Sequence, residues 1–395
     1  MVPKGWKKGL VSDLADTVMG YAFKSNDFVK KGIPLVRMGN LYQNQFQLDR
    51  SPIYLPDDFA TEYKRFLLQS GDLVMSMTGT MGKRDYGFAV EIPENTQDCL
   101  LNQRVLKIEP RNSDAKGFVL NVLKSEIFLS KLYSLPGGTK QANLSATQIR
   151  EISVLIPPLP EQQKIAKILS TWDKAISMTE RLIDNSTQQK KALMQQLLTG
   201  KKRLLDDEGK RFDKKWERIE LGKLLDYKQP TPYLVKSTDY SDEYPTPVLT
   251  AGKTFILGYT DEEFGIFSED LPTIIFDDFT TASKFVDFPF KAKSSAMKML
   301  VAKDGVSIKY IFEVMQALSY AIGGHQRHWI SIFANIVIGL PCLEEQQKIT
   351  AVSNNADKEI ELLEQQLADL QQEKKALMQV LLTGKKRVRV DGEVA

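Results

Sequence analysis

Apolar residues recur at alternating three- and four-residue steps along two long stretches of the chain. In the later stretch Ile349, Ala356, Ile360, Leu363, Leu367, Leu370, Leu377 and Leu381 form one seam. The earlier seam is less pure: Ile165, Leu169, Trp172, Ile176, Thr179, Ile183, Ser186, Lys190, Leu193 and Leu197. That spacing is the heptad signature of a helix packed along another helix. Pro160 and Glu161 suit a first helical turn, where a missing N–H costs nothing and a carboxylate meets the helix dipole. Gly200 and Gly384, each followed by Lys-Lys-Arg, suit the other end. At about 1.5 Å per residue each helix runs roughly 50–60 Å. Lys190 and Lys374 hold the same seam position, where a lysine lowers stability but can fix register or orientation.

The two stretches are copies of one another. Glu-Gln-Gln-Lys-Ile at 161–165 recurs at 345–349, and KKALMQQLLTGKKR at 190–203 recurs as KKALMQVLLTGKKR at 374–387, both at an offset of 184 residues. Asp173-Lys174 matches Asp357-Lys358 at the same offset, and a repeat of this kind decides the architecture before anything else. The chain order is globular segment, helix, globular segment, helix. An antiparallel pairing of the two copies then predicts a rod with a head at each end and an approximate two-fold axis. Identity extends to Lys191, Gln195, Thr199 and Lys201–Arg203, residues of exposed type that helix packing alone does not require to match. The globular segments have diverged strongly, so the contrast points to two equivalent docking surfaces for two copies of a partner.

Both globular segments show the same succession of short runs. Each opens on a tryptophan, Trp6-x4-Val11-x2-Leu14 and Trp216-x4-Leu221-x2-Leu224. β-like runs follow at Pro34–Gly39 and Pro247–Gly252, at Gly71–Met77 and Thr273–Phe276, and at Arg104–Ile108 and Met297–Val301. Helical patterns cover about 116–133 and 306–320. A Gly-Gly turn comes next, at Gly137 and Gly323, and each segment closes on an apolar run and a proline, Ile152–Pro157 and Ile336–Pro341. Short strands with a helix or two predict an α+β domain. The connector at 204–215 has the composition of an exposed linker, and the tail after Lys386 is expected to fray.

Composition adds limits. At 395 residues the chain can build two or three cores. No run approaches the ~18 apolar residues of a membrane span, and the opening MVPKGWKKGL has no apolar signal core, so a cytoplasmic protein is expected. Cys99 and Cys342 lie in different segments and suggest neither disulfide nor metal motif. A net charge of +3 permits nucleic-acid binding without demanding it. Met77–Arg84 lacks the first Gly and the Ser/Thr of a phosphate loop, and Ile156-Pro-Pro-Leu lacks the Asn or Asp of an amino-methyltransferase pocket. His325 and His328 have no cysteine nearby, and adjacent Asp277 and Asp278 point to opposite faces of a strand. The chain reads as a binder with no catalytic residues, metal or cofactor of its own.

Polar loops supply the groups that read bases and phosphates: Arg for guanine, Gln or Asn for adenine, and Gly for close backbone approach. The first segment offers Arg37, Thr78, Thr80, Lys83, Arg84, Thr139, Lys140 and Gln141; the second offers Thr280, Thr281, Lys284, His325, Gln326 and Arg327. Any one of them can equally be an ordinary loop residue. Asp277 and Asp278 suit acceptance from cytosine or, at least as well, a capping role.

The P-x-x-E-Q-x-K-I start, from Pro158 in one copy and from Pro341–Cys342 onward in the other, and the repeated ALMQ-x-LLTGKKR exit resemble the specificity subunits of type I restriction–modification systems. So do GDLVMSMTGTMGK (71–83), LNQRVLKIEP (101–110), IIFDDFTT (274–281) and GGHQRHWI (323–330). The resemblance implies an α+β fold class: two target-recognition domains joined by two long antiparallel coiled-coil helices in a pseudo-two-fold, cyclic arrangement. It places the first domain at 1–157, the central helix at 158–203, a linker and the second domain at 204–341, the C-terminal helix at 342–387 and a tail at 388–395. It further implies a non-catalytic subunit that binds double-stranded DNA, each domain reading half of a bipartite target and the helices setting the spacer. Heads some 50 Å apart would span roughly fifteen base pairs. Two methyltransferase subunits would dock symmetrically and use S-adenosylmethionine, while restriction/translocase subunits would use ATP and Mg. Acidic residues outnumber basic ones across 213–341, so partner subunits are expected to contribute phosphate binding to the second domain. The alternative is a coiled-coil scaffold whose heads bind protein partners.

Overall fold

The computed structural model describes residues 2–136, 141–252, 254–318 and 328–390. The chain divides into two compact units, 1–179 with 366–395, and 180–365. Each unit therefore takes one globular segment, the near part of one long helix and the far part of the other. The helices themselves span Leu159–Leu198 and Leu343–Leu381, 40 and 39 residues.

In the first unit the strand Lys7–Leu10 pairs antiparallel with Ser153–Ile156, tying the start of the segment to its end just before the long helix. An antiparallel sheet follows in the spatial order Ala15–Met19, Val105–Pro110, Leu73–Ser76, Ala89–Glu91. A second sheet orders Tyr54–Leu55, Ile33–Val36, Cys99–Leu101 and Leu67–Leu68, the middle two parallel. Helices Lys116–Lys124 and Glu126–Tyr133 cover the first sheet. The pattern over 116–133 predicts one helix, but Ser125 adopts extended dihedrals and its hydroxyl accepts from Phe128 N–H, which starts a new helix.

The second unit repeats this plan. Glu217–Glu220 pairs with Val337–Leu340, and an antiparallel sheet orders Leu225–Lys228, Met297–Ala302, Thr273–Asp277 and Ser283–Val286. Thr246–Leu249 lies parallel to Lys291–Ala292 and antiparallel to Ile256–Thr260. Helix Ile308–Ala317 is capped by Ser307, whose hydroxyl accepts from Tyr310 N–H. The connector expected as an exposed linker is more ordered than its composition suggests. Asp206 accepts from the amides of Glu208 and Lys210, Leu205 bridges Arg211, and Phe212 is buried.

Each unit has a core that reaches into both long helices. In the first, Ile165 and Leu169 join Leu381 and Leu382 beneath Phe118, Phe128 and Ile149. In the second, Met194 and Leu197 join Ile349 beneath Leu221, Tyr310 and Trp329. Burying one such leucine or isoleucine stabilises by about 1.5–3 kcal/mol. Along the helices, Trp172, Ile176, Ile183, Leu193, Ile360, Leu363, Leu367, Leu370 and Leu377 are half-buried while their outward neighbours are exposed, as a single apolar seam requires.

Within each unit the helices run antiparallel. In the first, Lys374 pairs with Asp173 at 2.5 Å and Arg387 with Glu161 at 2.5 Å; in the second, Lys190 pairs with Asp357 at 2.5 Å and Arg203 with Glu345 at 2.6 Å. Higher numbers on one helix meet lower numbers on the other throughout. The seam lysines thus have a function that periodicity alone does not show. Each reaches across to the aspartate of the other copy's Asp-Lys pair.

Candidate nucleic-acid interface

The ends of the helices are fixed to the recognition segments by one constellation built twice. Glu161 is buried, and its carboxylate accepts from Trp6 Nε1 at 3.2 Å and from Arg387 Nε and Nη2 at 2.9 and 2.5 Å. Glu345 is buried likewise, accepting from Trp216 Nε1 at 3.0 Å and from Arg203 Nε and Nη2 at 2.6 and 2.7 Å. Each guanidinium also lies over its tryptophan ring, 5.8 Å away at Trp6 and 5.5 Å at Trp216, and donates to a backbone carbonyl, Lys4 or Lys214. Hydrogen bonding to Glu345 holds the Arg203 guanidinium above even its ordinary value. Gly384 and Gly200 turn with φ of +66° and +71°, which brings the Lys-Lys-Arg segment back onto the tryptophan; a Cβ at Gly384 would meet Pro3 Cγ at 2.4 Å. The repeated Trp, Glu-Gln and TGKKR motifs are therefore parts of one joint. Among the identical residues of exposed type, Arg203 is spent inside the chain, and the Thr199 and Thr383 hydroxyls donate to helix carbonyls of Gln195 and Gln379. Lys191, Gln195, Lys201 and Lys202 point to solvent.

Several candidate DNA contacts of the first unit meet at one hairpin. Strand Thr78–Thr80 pairs with Gln141–Asn143, setting Thr80 opposite Gln141, both exposed. Thr78 is buried, and its hydroxyl donates to Asn143 Oδ1 at 3.3 Å. The following turn is held by Asp85, whose carboxylate accepts from Thr80 N–H at 2.7 Å. Burial works to raise that carboxyl, but the Thr80 hydrogen bonds and the charge of Lys83 outweigh it and hold it below its ordinary range. A side chain at Gly79 would meet Asp85 at 2.3 Å, so the turn needs glycine there. Lys83 is exposed. Arg84 pairs with Glu126 at 2.6 Å and lies 5.3 Å over Tyr133, with both charged side chains about half exposed (62% and 48%). A pair so hydrated is weak and exchanges readily for a phosphate. Thr139 and Lys140 lie outside the described residues.

Arg37 is placed elsewhere, at the end of strand Ile33–Val36. Its Nη2 donates to Ser51 O at 2.7 Å and its backbone N–H to Asn40 Oδ1 at 2.9 Å. Buried Asn40 in turn donates to the carbonyls of Gln47 and Arg50. This folds the 38–51 loop back so that Arg50 and Arg104, far apart in sequence, line the same concavity. Neither was a candidate from sequence. Only the parallel pairing of Ile33–Val36 with Cys99–Leu101 brings them together, and no local motif announces it.

In the second unit the candidates gather on the hairpin between Thr273–Asp277 and Ser283–Val286. Asp277 Oδ1 accepts from the amides of Phe279 and Thr280, and Thr281 sits at φ +59° with its N–H on Asp277 O. Phe279 and Thr280 are exposed at the tip and Lys284 is exposed on the returning strand. Asp278 is buried, accepts from Trp329 N–H at 2.9 Å and faces Lys298 at 3.5 Å. Of the two roles its sequence suits, the structure shows the capping one. His325, Gln326 and Arg327 lie outside the described residues. Among the described residues no group of His, Cys, Asp and Glu is placed to hold a metal ion, and no helix is long and apolar enough to cross a membrane.

Two α+β segments, each presenting a polar hairpin and each locked to helix ends by the same joint, define a duplicated protein with two unlike polar surfaces. The family described as type I restriction modification DNA specificity domain matches residues 3–186. The EcoR124I/EcoR124II specificity subunit of Escherichia coli is 50% identical over 143 residues, 35% of each chain. A putative MjaX specificity subunit of Methanocaldococcus jannaschii is 24% identical across 98% of this chain and 95% of its own. The crystal structure of the type I restriction–modification S subunit from M. genitalium shares the fold, with a TM-score of 0.61 and 14% identity over 96% of both chains. The chain is thus similar to type I restriction–modification specificity subunits, through a family domain over residues 3–186 and a relative aligned along nearly its whole length. The match to the Escherichia coli subunit spans about a third of that protein's length.

Proposed function

We propose that the chain is the DNA-reading, non-catalytic subunit of a type I restriction–modification complex. Each unit reads one half of a bipartite duplex target, and the paired helices set the spacer between halves. The observation that carries this reading is the joint built twice, at Trp6–Glu161–Arg387 and Trp216–Glu345–Arg203, which couples each recognition segment stiffly to both helices. The residues that contact DNA are drawn from Thr80, Lys83, Arg84 and Gln141 in one unit and Thr280, Thr281 and Lys284 in the other, and from the sequence candidates Thr139, Lys140, His325, Gln326 and Arg327. Two methyltransferase subunits dock on the two equivalent helix ends, through Lys191, Gln195, Lys201 and Lys202 and their counterparts 184 residues later. They bring S-adenosylmethionine; restriction/translocase subunits bring ATP and Mg, and this chain holds none of these.

Gel shifts with the methyltransferase subunits test the reading: binding should depend on sequence and weaken steeply with salt. Equal binding to every duplex would remove it. Insertion of one heptad into each helix, after Asp184 and after the facing Leu363, adds about 10 Å of helix, or roughly three base pairs. The preferred spacer should lengthen accordingly with both half-sites unchanged, whereas an altered half-site would contradict the spacer role.

A further inference from the structure

We propose that the concavity formed by Arg37, Arg50 and Arg104 seats the major-groove edge of a guanine, making these arginines specificity determinants of the first unit. The inference rests on the DNA-reading function above and adds the base.

Three guanidinium groups from three separate segments line one open concavity, and no carboxylate lines it. Among the described residues none of the three meets an ion-pair partner, and Arg37 Nε is shut off from water without meeting an acceptor there. Like charges gathered with nothing to neutralise them oppose folding, so the arrangement is matched to an acceptor brought from outside. Two of the three are also held in place. Arg37 is pinned through Nη2 to Ser51 O, and Arg50 lies 4.5 Å over the Tyr42 ring. The loop between them carries Gln43, Asn44 and Ser51 at φ of +55°, +59° and +52°, and Asn44 is fixed by accepting from Ala89 N–H at 2.9 Å. Strained conformations at non-glycine residues mark segments whose geometry is over-determined by their surroundings.

Planar guanidinium forks fit the O6/N7 edge of guanine, which arginine reads through two parallel hydrogen bonds. A phosphate needs charge more than orientation, and lysine serves it as well, yet no lysine lines the concavity. Gly39 leaves open space beside the arginines, with nothing within 4 Å of where a Cβ would stand. On the far side the exposed Tyr21 is tied to the same turn, accepting from Gln103 N–H at 2.9 Å and donating to Leu101 O at 2.9 Å. Tyr21 and Gln103 therefore extend the surface along which a duplex would lie.

The test uses the chain assembled with its methyltransferase subunits. Mapping of methylated adenines first gives the two half-sites; competition gel shifts then use duplexes with 7-deazaguanine, which lacks N7, at each guanine in turn. One guanine of one half-site should prove sensitive, losing about tenfold or more in affinity. Arg50→Ala and Arg104→Ala should each bind the modified and unmodified duplexes alike and accept other base pairs at that position, while the other half-site is read as before. Variants that weaken binding to all duplexes equally, with a shallower salt dependence, would assign the arginines to phosphate and overturn the inference. So would a pair of half-sites in which no guanine is sensitive, or variants with native preferences. In each of those cases native sequence preference survives, whereas its absence in the native complex would mean that the DNA-reading function itself had failed.

Discussion

Replacement of Glu345 by alanine should be among the most damaging single truncations at the helix ends. The side chain is 1% exposed and accepts three hydrogen bonds, two of them from Arg203, whose own side chain is 18% exposed. Truncation leaves the guanidinium with the Lys214 carbonyl and the Trp216 ring, and leaves the indole N–H without an acceptor. Removing one member of a buried pair costs about 3–5 kcal/mol, mostly from stranding the other charge. Arg203 can recover some water through its exposed fraction, so a loss of about 3 kcal/mol is expected. It cannot escape by giving up its proton, because an arginine remains charged at all accessible pH values. Glu345→Gln keeps one acceptor oxygen and should lose roughly half as much, about 1.5 kcal/mol, within the range for a charged hydrogen bond.

Amide hydrogen exchange across 200–224 is the suitable assay, since a chain of two units need not unfold in one step and local opening is what the joint controls. Glu161→Ala should behave the same way across the opening residues, through Trp6 and Arg387. Losses below about 0.5 kcal/mol in both variants would place these pairs with ordinary surface ion pairs and refute the reasoning.

Lys374→Met replaces a seam lysine whose partner Asp173 is half exposed, so a change within about 1 kcal/mol of either sign is expected from urea denaturation; a loss near 3 kcal/mol would show that this pair is a structural anchor. Asp278→Asn should cost about 3 kcal/mol in the second unit by stranding Lys298, yet leave both half-sites unchanged in methylation mapping, because the residue is buried beneath the hairpin. Lys124 is pushed below the ordinary lysine range by burial, with Lys374 adding to the effect and Asp173 opposing it. The unfolded chain then holds more protons than the folded one just below that range. Stability should therefore rise with pH there, and Lys124→Met should abolish the rise and stabilise the protein at neutral pH, both measurable by thermal unfolding across pH.

The helices and the order of strands were legible in the sequence because both rest on local periodicity and on a repeat that could be aligned with itself. Gly71–Met77, for example, alternates and is bounded by turn residues, and it forms Leu73–Ser76. The break at Ser125 was not legible, since apolar spacing runs straight through it and only the serine's capping geometry interrupts the helix. The site was legible by residue type but not by grouping. Thr80 and Gln141 face each other through a strand pairing that spans some sixty positions of chain, and the Arg37–Arg50–Arg104 cluster depends on another, of Ile33–Val36 with Cys99–Leu101. Composition could mark polar loops; it could not say that Asp278 lies beneath its hairpin while Phe279 crowns it.

The joint also explains which parts of the repeat stayed identical. Each unit combines the start of one helix copy with the end of the other, so Glu345 is answered by an arginine from the first copy and Glu161 by one from the second. A change in either copy's LTGKKR exit must be tolerated by the other copy's EQQKI start, which ties the two sequences together across 184 residues. That constraint covers the glutamates, the arginines, the glycine turns and the seam lysine with its aspartate. It does not extend to the side chains of Lys191, Gln195, Lys201 and Lys202, which are exposed yet match their counterparts. On the function proposed above, docking of two identical methyltransferase subunits would hold those four positions alike. Charge reversal at Lys201 and Lys202 should accordingly weaken methyltransferase assembly without loosening the joint.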